Sequence, residues 1–157
     1  MKVIGFDPSL KQTGYAIVND TFKIITAGII KTDSEEKLEN RLYEIFFESD
    51  SILQKFQPDF AVFEESFYHK NVKTTSILSM VRSALIVSCV KNGIKIRFFS
   101  PNLIKKSITG KGHSTKEQVQ FMVKYIFKIE KDLPYDVSDA LAVTYTFLNR
   151  KDYELVH

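Results

Sequence analysis

Between Ser66 and Lys116 the chain has no aspartate or glutamate, while ten lysines and arginines fall in the same segment. Other scarcities narrow the field further. A single cysteine in 157 residues, Cys89, excludes an internal disulfide, and its neighbours Val87 and Val90 predict a small core residue in a reducing, cytoplasmic setting. Six glycines, none of them clustered, leave no glycine-rich phosphate loop, which counts against the kinases that also carry an aspartate on their first strand. No apolar run is expected to reach the roughly 18 residues of a membrane span, and the apolar part of Met1 to Asp7 is too short for a signal peptide.

What is present reads as one globular domain over residues 1–157. Hydrophobic residues make up 44% and charged residues 26%, enough for a core without cross-links. The net charge of +3 conceals segregation, because residues 1–65 carry −5, residues 66–116 carry +10 and residues 117–157 carry −2. A short run of like charge is ordinarily a solvated face. One of this length predicts a surface for a polyanion.

Hydrophobic periodicity gives the order of elements. Val3 to Phe6, Gly14 to Val18 and Phe22 to Thr32 read as consecutive antiparallel strands. Leu38, Leu42, Ile45, Phe46, Ile52, Leu53 and Phe56 then lie on one helical stripe of about five turns, with Thr32, Asp33 and Ser34 as its expected cap and Pro58 beyond its end. Asp59 to Phe63 is a strand apolar enough to be buried on both faces. Ile77, Met80, Val81, Ala84, Leu85 and Ser88 mark a second helix that closes at Asn92-Gly93, and Ile94 to Phe99 another strand. A short helix after Pro101, the basic loop Gly110 to His113, a helix behind a Ser114/Glu117 capping box and a last helix from about Asp136 complete the chain. Helices between single strands demand parallel pairing, and the opening hairpins demand antiparallel pairing. The expected fold class is therefore α/β, a five-stranded mixed sheet with helices on both faces.

Four carboxylates stand where these elements end: Asp7 after the first strand, Glu64 after the fourth, and Asp136 and Asp139 on one face of the last helix. Each has an ordinary alternative. Asp7 before Pro8 suits a turn, Glu64 and Glu65 suit a solvated loop, and Asp136 suits an N-cap with Asp139 complementing the helix dipole. Together they are hard oxygen donors able to converge on one sheet edge, which is the chemistry of Mg²⁺.

The segments Gly5-Phe6-Asp7-Pro8-Ser9-Leu10 through Thr13-Gly14-Tyr15, Phe63-Glu64-Glu65-Ser66-Phe67-Tyr68-His69-Lys70-Asn71, and Asp136-Val137-Ser138-Asp139-Ala140-Leu141-Ala142 resemble the RuvC family of Holliday junction resolvases in order and spacing. The resemblance implies an RNase H-like fold, a homodimer, and paired nicks in two opposed strands of a four-way DNA junction. It implies two Mg²⁺ ions about 4 Å apart, with Mn²⁺ a substitute, held by Asp7, Glu64, Asp136 and Asp139 as the metal-binding, catalytic quartet. Glu64 is preferred over Glu65 for its spacing to Phe67 and to Lys70-Asn71. The DNA-binding residues implied are Phe67, Lys70, Lys73, Lys105, Lys106, Lys111, His113 and Lys116, with Phe67 as a stacking aromatic; an anchor in the core is its alternative. Ser9 departs from the glycine usual in bacterial members, and the Lys, Asn and Ile content is closer to the phage branch. A branch-migration helicase partner and a nucleotide preference are not carried over.

Competing readings are a generic flap or RNase H-type nuclease of the same fold and a non-catalytic junction-binding protein. Mutually repelling acids without a metal count against the latter. The helix from Lys73 to Lys91 is the expected dimer face.

Overall fold

The computed structural model describes residues 1–65 and 71–150, so Phe67, His69 and Lys70 lie outside the described residues. Strands β1 (Lys2–Asp7), β2 (Gln12–Asn19) and β3 (Ile24–Lys31) come first, then helix α1 (Leu38–Phe56), strand β4 (Phe60–Glu64), helix α2 (Val72–Lys91), strand β5 (Lys95–Phe99) and helices α3 (Pro101–Thr109), α4 (Lys116–Ile126) and α5 (Tyr135–Leu148). The sheet order is β3-β2-β1-β4-β5. β2 runs antiparallel to β1 and β3, whereas β4 runs parallel to β1 and β5. The expected mixed sheet is thus observed, with α1 and α2 as the crossovers that parallel pairing requires.

The two-residue period of the strands divides the core. Val3, Ala16, Val18 and Val62 pack with Ala140, Leu141 and Phe147 of α5 on one side, while Ile4, Phe6, Ile17 and Phe63 pack with Ile45, Leu53, Val81 and Leu85 of α1 and α2 on the other. Phe6, Phe63 and Phe98 form a stacked row across β1, β4 and β5, with ring centroids 5.4 and 5.7 Å apart.

Three local expectations give way to tertiary contacts. The cap of α1 is Lys37, without a side-chain hydrogen bond, instead of the expected Thr32 to Ser34 segment. The Thr32 hydroxyl is occupied elsewhere, donating to the Leu10 carbonyl at 2.5 Å and accepting from Arg41 Nε at 2.9 Å. The capping box of α4 is Thr115 with Gln118, one residue beyond the expected pair, because Ser114 turns inward to Thr109 and to the Lys111 carbonyl. α2 is also long and apolar enough to cross a membrane by length and composition, contrary to the expectation of no such stretch. Its serines and threonines dilute the apolar signal. Val81, Leu85, Ser88 and Cys89 are buried, whereas Met80, Val87 and Val90, which the stripe and the Cys89 argument place inward, are exposed.

α1 and α2 are tied together by Asp50. Its buried carboxylate accepts from Lys91 Nζ at 2.5 Å, Asn92 Nδ2 at 2.7 Å and Gln54 Nε2 at 2.9 Å. The Lys91 hydrogen bond foremost, and then that of Asn92, hold this carboxyl below its ordinary value of 3.8. A carboxyl made more acidic by folding stabilises the native state above its unfolded pKa, and that contribution is lost as pH falls through the folded value. Asp50→Ala is therefore expected to cost roughly 1–3 kcal/mol at neutral pH, with the deficit shrinking below about pH 4. Thermal unfolding over a pH series checks this, and an equal deficit at pH 7 and pH 3 contradicts it.

Candidate functional site

The C-terminal ends of β1 and β4 lie side by side, because Phe6 pairs with Phe63 in parallel register. That register sets Asp7 beside Glu64, each the last residue of its strand. The turn after Asp7 is held by Thr13, whose hydroxyl accepts from Ser9 N at 3.2 Å and donates to the Ser9 carbonyl at 2.7 Å. It returns the chain so that Gly14 stands directly opposite Asp7. A side chain is impossible at Gly14, since a Cβ there would lie 2.1 Å from the Asp136 carbonyl oxygen and 2.9 Å from its Cβ. Gly5 repeats the pattern one turn further along α5, with a Cβ position 2.2 Å from the Ala140 carbonyl. Two glycines therefore let the first turn of α5 rest on β1 and β2, bringing Asp136 and Asp139 to Asp7. α5 follows Pro134 without a side-chain cap, and Asp136 lies in its first turn.

The carboxylates perturb one another. Burial, then Asp139 and Asp136, push the Asp7 carboxyl up to about 8, with Lys116 opposing and Glu64 adding. Burial and Asp139 likewise raise Glu64 against Lys105, Arg82 and Lys116, and burial raises Asp139 against the pull of Lys116. Burial alone would lower the Lys116 ammonium, but Asp139, Asp7 and Asp136 outweigh it and hold it more basic than usual. Its Nζ lies 3.3 Å from Asp139 Oδ2 and 4.8 Å from the Tyr135 ring centroid. Among the described residues no three His, Cys, Asp or Glu side chains are already closed around a metal position. The donors are gathered, and an ammonium is the cation among them.

Beside them opens a cleft of about 200 Å³ lined by Glu64, Asp139, Lys105, Lys116, Ile104 and Val119, among others. Acids and ammonium groups lining one cleft can accept a metal ion and a phosphate together. Glu65 is exposed, and its backbone N–H donates to the Phe99 carbonyl. Of the basic residues expected to meet DNA, Lys105 and Lys116 stand in this cleft. Lys106 is exposed on α3, Lys73 sits in the first turn of α2, His113 is exposed in the loop before α4, and Lys111 lines a separate groove with Phe121. Arg82, on α2, is absent from the sequence reading although its charge acts on Glu64. Its signal was a lone arginine in the apolar middle of a helix.

The family model "Crossover junction endodeoxyribonuclease RuvC" matches residues 3–147. The crossover junction endodeoxyribonuclease RuvC of Caldicellulosiruptor saccharolyticus is 40% identical over 148 residues, covering 91% of this chain and 89% of that protein. Its counterpart in Ehrlichia canis is 41% identical over 145 residues, covering 91% and 93%. Among solved structures, T. thermophilus RuvC in complex with Holliday junction substrate superposes with a TM-score of 0.87 at 25% identity, over 93% of this chain and 92% of that one. The yeast mitochondrial Holliday junction resolvase Ydc2 shares the fold at a TM-score of 0.63 and 16% identity, over 93% and 77%.

Two stability measurements test this geometry. A carboxyl whose pKa folding raises favours the native state below its unfolded value and loses that contribution as pH climbs through the folded one, here about 8. In chelator, Asp7→Asn is therefore expected to unfold about 3–8 °C above the parent at pH 8.5, with the gap narrowing as pH falls and closing only at about pH 4; a variant less stable at both pH values contradicts the assignment. Gly14→Ala is expected to cost about 1–3 kcal/mol by displacing the start of α5. Gly112→Ala, whose Cβ would meet nothing closer than 3.7 Å, is the near-neutral control in the same denaturation assay.

Proposed function

The chain belongs to the RuvC family of crossover junction endodeoxyribonucleases, and from that premise we propose that it resolves four-way DNA junctions in the cytoplasm with metal held by Asp7, Glu64, Asp136 and Asp139. The observation that carries this reading is the meeting of acids from β1, β4 and α5 beside Lys105 and Lys116. The family is one of metal-dependent nucleases. The donor set fits a hard divalent cation: four carboxylates on three elements, with Asp7 driven up by burial and by its own neighbours, gain most from a charge of opposite sign. Bound Mg²⁺, two ions in this reading with Mn²⁺ a working substitute, supplies Lewis acidity at the scissile phosphate and makes the attacking water acidic.

The chain's own residues do the rest. Asp7, on which the other three acids act, would hold the metal together with Glu64, Asp136 and Asp139. Lys116 exchanges its contact with Asp139 for the phosphate, and Lys105, lining the same cleft, neutralises charge there. The acid-free segment continues this basic surface along α2 and α3 and attracts the arms of the junction.

A four-way junction has two equivalent strands to cut, so a two-fold homodimer offers one site to each. α2 supports this, exposing Val72, Met80, Val87 and Val90, and α1 adds Tyr43 stacked on Phe47 at 6.2 Å. A second copy of the chain is the partner that this apolar face fits.

Asp7→Asn, Glu64→Gln and Asp139→Asn are each expected to reduce cleavage of a synthetic four-way junction by more than about 100-fold while leaving junction binding intact, and Glu65→Gln to remain active. Wild-type activity in any of the three removes that residue from the metal set. Flap, linear duplex and RNA:DNA hybrid assayed beside the junction separate this reading from a generic nuclease. On a cruciform plasmid the parent is expected to give linear product; nicked circles alone, with only monomer in sedimentation, sink the paired-cut reading.

A further inference from the structure

Arg82 interrupts the apolar middle of α2, between Val81 and Leu85, the buried residues that seat this helix on the sheet. Its Nε is shielded from solvent and has no hydrogen-bond partner among the described residues. A buried donor left unmatched costs more than an ordinary hydrogen bond returns, and the cost is larger on a charged group. An arginine in that position therefore calls for an anion. One acid acts on it, Glu64, and Arg82 in turn acts on Glu64. Val81 and Leu85, on either side of it, pack in one cluster with Phe63, the residue before Glu64, so the orphaned guanidinium N–H belongs to the part of α2 that lies over the end of β4, without an ion pair to Glu64 among the described residues.

We propose that Arg82 is a positioning residue for the metal site: its guanidinium takes one oxygen of Glu64 as the site closes and leaves the other directed at the cation. Glu64 then serves as a one-oxygen ligand of fixed direction. The inference rests on the reading of Glu64 as a metal ligand. Arginine suits the task because Nε–H and Nη–H form a rigid fork that matches a carboxylate edge, whereas lysine offers only a point charge. Lys105, on the cleft wall, already supplies that kind of charge. Like any counter-ion, the guanidinium repels the incoming metal through its charge, and the positioning role differs in that the orientation given by the fork outweighs that repulsion.

The test measures Mn²⁺ binding to the DNA-free protein, by electron paramagnetic resonance of free Mn²⁺, for the parent, Arg82→Lys, Arg82→Gln, Glu64→Gln and the two double variants. Junction affinity without metal and the unfolding midpoint in chelator are recorded in parallel. Positioning predicts at least fivefold weaker Mn²⁺ binding in both Arg82 variants, with junction affinity within twofold and the midpoint close to the parent. It also predicts that neither Arg82 substitution weakens Mn²⁺ binding further once Glu64 is Gln, because the effect passes through that carboxylate. Tighter Mn²⁺ binding in Arg82→Gln with parental binding in Arg82→Lys makes the residue a bare charge and overturns the proposal. Weaker junction binding with unchanged Mn²⁺ affinity makes it a phosphate contact, which also overturns it, as does a large loss of midpoint in both single variants. If Glu64→Gln alone binds Mn²⁺ like the parent, the ligand reading of Glu64 fails first and is identified by that variant.

Discussion

The approach of α5 to the sheet is the constraint on which the molecule turns. Ten of its fourteen residues are buried, and its backbone lies so near β1 and β2 that hydrogen is the only side chain that fits at Gly5 and Gly14. Thr144, fully buried, satisfies its hydroxyl within the helix by donating to the Ala140 carbonyl at 2.7 Å, the same oxygen that a Cβ on Gly5 would meet. Packing this close is energetically favourable, since dispersion and excluded water reward it. It also has a chemical result. The helix that anchors one half of the core carries two acids in its first turns, so the force that builds the core delivers them to Asp7.

That delivery is electrostatically unfavourable by itself. Carboxylates driven together by packing repel one another, and Asp7 bears most of the strain. Lys116 relieves part of it from the start of α4, and its contact with Asp139 is half open to solvent and correspondingly weak. A strong, buried ion pair there would hold the acids permanently neutralised. A weak one leaves them available to a better cation.

Much of this organisation is legible in the sequence because it depends on periodicity. The apolar run Val3-Ile4-Gly5-Phe6 and the 3.6-residue stripe from Leu38 to Phe56 are properties of single segments, and the order of elements follows from them. The caps are different. Ser114 and Thr115 are adjacent hydroxyls, each followed three residues later by Glu117 or Gln118, so the local pattern is nearly symmetric. Thr109, at the end of the preceding helix, breaks the tie by taking Ser114. Thr32 is likewise claimed by Leu10 and Arg41. Gly14 is visible as a glycine, but its purpose appears only with the register that sets it between Asp7 and Asp136. Arg82 needs more still, since periodicity does not say that its helix passes beside the end of β4.

The parallel pairing of β1 with β4 has a consequence in time. Parallel neighbours require a crossover, so Asp7 and Glu64 become adjacent only after α1 has folded across the sheet, and the last two acids arrive only when α5 docks. The contacts that join β1, β4 and α5 are long-range, and forming them requires loop closure before packing rewards it. A chain emerging from the ribosome therefore lacks an assembled centre until α5 has been synthesised. Synthesis that stops short of α5 leaves the acids dispersed, so the topology itself withholds the centre until that helix has docked.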